Sequence, residues 1–192
     1  MIEEYVSIPH STYDEWRSNT IGVAYNPDHF AGAQCWDYIA ELYFNLGFGT
    51  GYPHTGPNLA AYECWTVSRY QNLGTQSIGQ KFELVELLAT VKRGDIVVLN
   101  QGRFPGDTTG HIAFADEDYD GSGQMWLLGQ NQVNPNPTTG SPVARTRMSV
   151  TAFLGAFRNK EWQTTPTPTT QKSKFPWVLY ARKLNKSRRN II

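Results

Sequence analysis

At Gly94 the hydrophobic pattern of this chain changes period, and that change bounds the fold. Upstream the patterns are helical. Ser11-Thr-Tyr-Asp-Glu15 has the form of a capping box and predicts a short helix through Trp16. Residues 36–46 form an amphipathic run closed by Gly47, and a second helix is expected over about 58–70, after a Gly/Pro-rich loop at 47–57. Residues 82–88 read as one more short helix. From Gly94 onward the runs are short, apolar and strand-like: 94–99, 111–116, 124–131, 143–148 and 154–157, with a long polar loop at 101–110. Helices first and strands afterwards predict an α+β domain, with N-terminal helices packed on an antiparallel sheet.

The charge is split along the chain. All 17 acids lie at or before Glu161, whereas residues 171–192 hold seven basic residues, Lys172, Lys174, Arg182, Lys183, Lys186, Arg188 and Arg189. The rest of the chain sets ten basic residues against those 17 acids. Between the two lies the Thr/Pro stretch 163–171, an extended linker by composition. The expected organisation is a domain at 1–162, a linker at 163–171 and a basic tail at 172–192. No apolar run approaches the roughly 20 residues that span a membrane. The first ten residues lack the basic and apolar pattern of an export signal, so a chain made without a classical signal peptide is expected.

Only two cysteines occur, Cys35 and Cys64, too few for a disulfide framework or a structural zinc site. Cys35 directly precedes the 36–46 helix, where the helix dipole lowers a thiol pKa. Oxygen-bearing side chains at Asn26, Asp28 and Asp37 surround its approach. This stretch suggests a nucleophile together with an oxygen-rich metal loop; a plain Asx-rich turn would also suit it.

A thiol nucleophile needs a base. His10 and His54 adjoin prolines in loops, and His29 lies within the oxygen-rich loop. His111 opens an apolar strand whose same face carries Ala113 and Ala115, leaving room at the ring. It is the best placed of the four. A base is oriented through its second nitrogen. Strand alternation makes Asn131 the natural partner and Gln130 its rival, with Asp116 and Asp118 as surface acids at the far strand end. Tyr25, Tyr52, Trp65 and Trp126 are candidates for lining a groove or for the core.

In this order, Gly32-Ala-Gln-Cys-Trp-Asp37, Arg93-Gly-Asp-Ile-Val-Val98, Gly110-His-Ile-Ala-Phe114 and Leu128-Gly-Gln-Asn131 resemble the CHAP domain, a family of cysteine, histidine-dependent amidohydrolases and peptidases. The resemblance covers about residues 10–160. It implies a papain-like α+β fold with a helix-start Cys facing a sheet His. The implied activity is amide cleavage in bacterial peptidoglycan, as an N-acetylmuramoyl-L-alanine amidase or a stem or cross-bridge endopeptidase; many members are bacteriophage lysins. Carried over, Cys35 is the nucleophile and His111 the general base. Gln34 is expected at the oxyanion hole with the Cys35 N–H, and Asn131 is retained as orienting residue. Many phage members read Glu-Gln-Asn where this chain reads Gly129-Gln-Asn131, so a triad acid is missing. Calcium-binding members place acids nine and seven residues before the Cys and two after it. Here those positions are Asn26, Asp28 and Asp37, with the carbonyls of Phe30 and Gly32 between. The resemblance thus implies Ca2+, one ligand charge poorer at Asn26.

The expected partner is bacterial peptidoglycan. The basic tail suits anionic wall polymers, a membrane surface or another virion protein, or serves as a solubilising tail; no nucleic-acid partner is expected. The expected place of action is the bacterial cell wall, reached from the host cytoplasm or a phage virion. Two other classes fit the sequence: a non-catalytic wall-binding or virion structural module on the same scaffold, and a thiol peptidase acting on protein.

Overall fold

The computed structural model describes residues 7–49, 51–68, 78–102, 107–133 and 135–164. The first helix, α1 (Tyr13–Thr20), is capped by Thr12, whose side chain accepts from the Glu15 N–H at 3.1 Å. Glu15 in turn accepts from the Ser11 N–H at 3.0 Å. The predicted cap is therefore present, with the return bond to Ser11 just before the N-cap instead of to Thr12 itself, and the helix runs one turn past Trp16 because Trp16 and Thr20 bury on one face. Next come α2 (Cys35–Asn45), α3 (Glu63–Ser68) and α4 (Ile78–Lys81). The strands are β1 (Phe82–Val85), β2 (Ile96–Leu99), β3 (His111–Ala115), β4 (Gln124–Gly129), β5 (Ala144–Ser149) and β6 (Phe153–Asn159), followed by α5 (Lys160–Thr164). The expected domain end at 162 falls inside α5; the rest of the linker and the tail lie outside the described residues.

All six strands form one antiparallel sheet in the order β1-β6-β2-β3-β4-β5. The α+β architecture is as predicted, with one reassignment. Residues 82–85 are a strand, not the start of a helix, because they pair with β6 from Phe82↔Asn159 to Val85↔Ala156. Phe-Glu-Leu-Val is too short to carry a period of its own, so the free edge of β6 decides its state.

The sheet is buried on both faces. On one, Ile96, Val98, Ile112, Phe114 and Leu128 meet the helices; on the other, Val97, Leu99, Ala113, Ala115, Leu127 and Met125 close over Val85, Val91 and Val150. Helix α2 packs directly against β3, burying Tyr38, Ile39, Leu42 and Tyr43 completely. Each such side chain contributes roughly 1.5–3 kcal/mol. Tyr38 is the centre of this contact: it stacks on Trp16, meets Phe114 edge-on at 5.2 Å, and bonds Thr20 Oγ1 through its hydroxyl at 2.7 Å.

Asp116, expected at the surface, is instead a buried ionic hub just beyond β3. It accepts from Tyr13 Oη and Arg17 Nε, each at 2.8 Å, and from Arg145 Nε at 2.5 Å. Arg145 also lies over the Trp126 ring, 4.1 Å from its centroid. Burial pushes the Asp116 carboxyl up, but the bonds from Arg17, Tyr13 and Arg145 outweigh it and hold the group below its ordinary value. Asp118, by contrast, is the surface acid expected, paired with Lys92 at 3.1 Å.

An amide at position 116 would turn N–H hydrogens toward arginines. Asp116→Asn is therefore expected to cost about 2–4 kcal/mol, seen as a lower urea midpoint at constant m. Because the folded carboxyl sits below its unfolded value of about 3.9, its contribution is complete above that pH and is lost as pH falls through the lower folded value. The variant should lack that acid-range loss. An unchanged urea midpoint would refute the hub's role.

Candidate active site

Cys35 is the first residue of α2, and the end of α2 that carries it meets a cleft of about 740 Å³. The cleft is lined by Cys35, His111, Asp107, Gln34, Asn131 and Gln132, with Asp28 from the preceding loop, Asp37 from the first turn of α2, and Phe30, Trp36 and Leu59 among its apolar walls. Neither cysteine is in a disulfide; Cys64 is fully buried, and burial pushes its thiol well up. His111 opens β3 and is 3% exposed. The packing of α2 on β3 thus brings the sequence's two principal candidates, Cys35 and His111, to one cleft. Asp107 is buried at the turn into β3, where its carboxylate accepts the Gly110 N–H at 3.0 Å. It went unassigned from sequence, although an Asp three residues before a Gly is a common turn signal.

The residues after β4 differ from expectation. β4 ends at Gly129, and Asn131 adopts a left-handed φ of 54°, so strand alternation does not reach it. The Asn131 amide donates to Gln34 Oε1 at 2.6 Å and its oxygen accepts from the Asn136 N–H at 2.7 Å, so these bonds turn it toward Gln34 and the 136 turn and not to His111. Gln130 is fully buried and also turned elsewhere. Its oxygen accepts from the Tyr25 N–H at 2.6 Å, while its nitrogen donates to the carbonyls of Tyr25 at 3.0 Å and Gln34 at 2.9 Å. It is Gln132 Oε1 that accepts from His111 Nε2, at 2.9 Å. No simple sequence signal marked Gln132, because it lies past the turn.

Gln34 is a brace. Its amide nitrogen donates to Ala31 O at 2.5 Å and Asn136 O at 3.2 Å, so both hydrogens are committed and neither faces an oxyanion. The backbone follows the same junction: Ala33 N–H donates to Thr139 O at 3.0 Å and Ser141 N–H to Ala33 O at 3.2 Å. A Cβ on Gly140 would lie 1.9 Å from Ala33 O, so only glycine permits this approach.

In the loop before Cys35, Asp28 Oδ1 accepts the Phe30 N–H at 2.9 Å, and His29, Ala31 and Gly32 take positive φ. Asp37 Oδ2 accepts the Gln34 N–H at 2.7 Å. Asp37 Oδ1 and Asn26 Oδ1 are buried without a hydrogen-bond partner. Burial pushes the Asp37 carboxyl up to about 7; the Gln34 N–H pulls it down, and neighbouring Asp28 adds to the rise. Two carboxylates, not three, are present, so a cation here depends on the Asn26 amide and on carbonyls as well.

None of the aromatic candidates lines the cleft. Tyr25 stacks on Tyr38, Tyr52 meets Phe48 and His54 at a tilt, Trp65 meets Phe157 at a tilt, and Trp126 lies beneath Arg145.

Gln130→Ala would strip three bonds from backbone groups at both ends of the 25–34 loop. A stability loss of about 2–4 kcal/mol is expected, with faster amide exchange at Tyr25. Undiminished protection of that amide would contradict the clamp.

The chain is 34% identical over 134 residues to the D-alanyl-L-alanine endopeptidase of Streptococcus phage B30. That match takes in 66% of this chain and 26% of the relative, so the chain spans about a quarter of the relative's length. Among solved structures it is similar to the wild-type endolysin LysIME-EF1, with a TM-score of 0.56 and 22% identity over 77% of this chain and 64% of that one. No family model matches the chain. No helix among the described residues is long and apolar enough to cross a membrane. The endolysin comparison establishes the architecture: this chain has the α+β fold of an endolysin, with its candidate thiol and imidazole at one cleft.

Proposed function

We propose that this domain is a thiol hydrolase that cleaves an amide bond of bacterial peptidoglycan, with Cys35 as nucleophile and His111 as general base. The observation that carries this reading is the single cleft that joins a helix-start thiol to a strand-start imidazole. The phage relative supports the substrate class, and its name favours a stem or cross-bridge endopeptidase over an N-acetylmuramoyl-L-alanine amidase. The place of action is the bacterial wall, reached from the host cytoplasm or from a virion.

The chemistry is acyl transfer. His111 removes the proton from Cys35 Sγ, and the thiolate attacks the amide carbonyl carbon. The resulting oxyanion is met by the N–H groups of the first turn of α2, the Cys35 N–H among them, since these have no acceptor within their own helix. The C–N bond breaks as His111 gives its proton to the departing amine nitrogen. Water then attacks the thioester carbonyl and loses a proton to His111; the C–S bond breaks, and the proton returns to sulfur.

The loop donors fit calcium: hard oxygens only, two carboxylates, an amide oxygen and carbonyls, with two buried oxygens lacking a partner. The holding residues are Asn26, Asp28 and Asp37 with the carbonyls of Phe30 and Gly32. Bound there, the ion would supply charge that stiffens the approach to Cys35.

Cys35→Ala is expected to abolish release of new amino groups from purified peptidoglycan while the circular dichroism is kept; clearing by this variant would sink the mechanism. Mass spectrometry of the wild-type digest should show new amino termini without new reducing ends, and the terminus names the bond. Separately, calcium should raise the unfolding temperature, and Asp28→Ala should remove that rise. A wild-type unfolding temperature indifferent to both calcium and chelator would exclude the ion.

A further inference from the structure

A primary amide has two hydrogens and one oxygen to place. Gln132 Nε2 donates to Ala144 O at 2.8 Å and to Leu127 O at 3.2 Å. Both hydrogens are thus spent on β-strand carbonyls, and the orientation of the amide is set by the sheet. Its oxygen is the atom left to face the imidazole, 2.9 Å from His111 Nε2. That oxygen only accepts, so Nε2 must carry the hydrogen. In the neutral ring Nδ1 is then the unprotonated nitrogen.

The slot for this amide is made by what is missing at position 129. A Cβ on Gly129 would lie 2.9 Å from Gln132 Oε1 and 2.9 Å from the Ala113 Cβ. The small residues beside His111 therefore serve to admit the glutamine, which is 8% exposed. A carboxylate in its place would set its lone pairs against two carbonyl oxygens. The other titratable groups on the cleft are Cys35, Asp107, Asp28 and Asp37.

We propose that Gln132 is the positioning residue of this site, a neutral acceptor that fixes the Nε2–H tautomer of His111 and leaves Nδ1 to exchange protons with Cys35. Its consequence for reactivity rests on the reading of Cys35 and His111 as the reacting pair; the tautomer itself does not.

The test uses the full chain with 15N-labelled histidine in a Cys35→Ala background, above about pH 8, where imidazole is neutral. Long-range proton–nitrogen spectra, with His111 assigned by its loss in His111→Ala, should show a protonated Nε2 and an unprotonated Nδ1. The opposite tautomer, or an even mixture, overturns the proposal without any variant at 132. With Cys35 restored, Gln132→Ala should slow iodoacetamide alkylation of Cys35 at neutral pH by about 10- to 100-fold, the scale of one hydrogen bond to a charged group. Alkylation is located by peptide mass. Gln132→Glu should not restore the wild-type profile, and should raise the pH at which His111 loses its proton. A folded Gln132→Ala chain with wild-type tautomer and wild-type alkylation overturns the proposal. Peptidoglycan digestion by the Cys35→Ala chain would instead overturn the functional reading, while the tautomer result stood by itself.

Discussion

One buried amide, that of Gln130, sets the geometry on which the rest of the cleft depends. It bonds both backbone groups of Tyr25 and the carbonyl of Gln34, so it closes the loop that leads into Cys35 from both ends. Because Gln130 directly follows β4, and β4 pairs with β3, the clamp places the loop in register with the strand that carries His111. Asn26 Oδ1 in this loop and Asp37 Oδ1 in the first turn of α2 are buried without a hydrogen-bond partner. Unsatisfied buried oxygens cost free energy, so this segment holds a local cost that a cation would relieve.

Three consecutive side chains after β4 then take separate tasks. Gln130 holds the loop, Asn131 holds Gln34, and Gln132 meets His111. The division follows from backbone geometry. A strand would send 130 and 132 to one face and 131 to the other. The left-handed turn at Asn131 breaks that rule and folds residue 132 back beneath Gly129. The acid that the family resemblance expects at 129 is absent, and an amide three residues later occupies the space its side chain would need.

These details explain which parts of the site were legible in the sequence. Cys35 at a helix start and His111 at a strand start were readable because element boundaries are signalled locally, by the residues beside them. The partner of His111 was not, because extending strand alternation to 131 assumed two residues of strand that the sheet does not have. Gln34 was misassigned for a related reason: its amide is consumed by Ala31 and Asn136, and the second of these lies 102 residues away. The helix expected at 82–88 failed because pairing with β6, more than 70 residues downstream, has no local trace. Asp116 read as exposed because its three donors come from α1 and β5.

The same strand separates stability from reactivity. β3 runs from His111 to Ala115, and Asp116 follows immediately. At that far end, arginines and a tyrosine converge on one carboxylate; at the near end, the imidazole meets a neutral amide oxygen at Nε2. The asymmetry has an electrostatic reason. A carboxylate on Nε2 would stabilise the imidazolium and keep the ring protonated to higher pH, whereas an amide orients the ring without that bias.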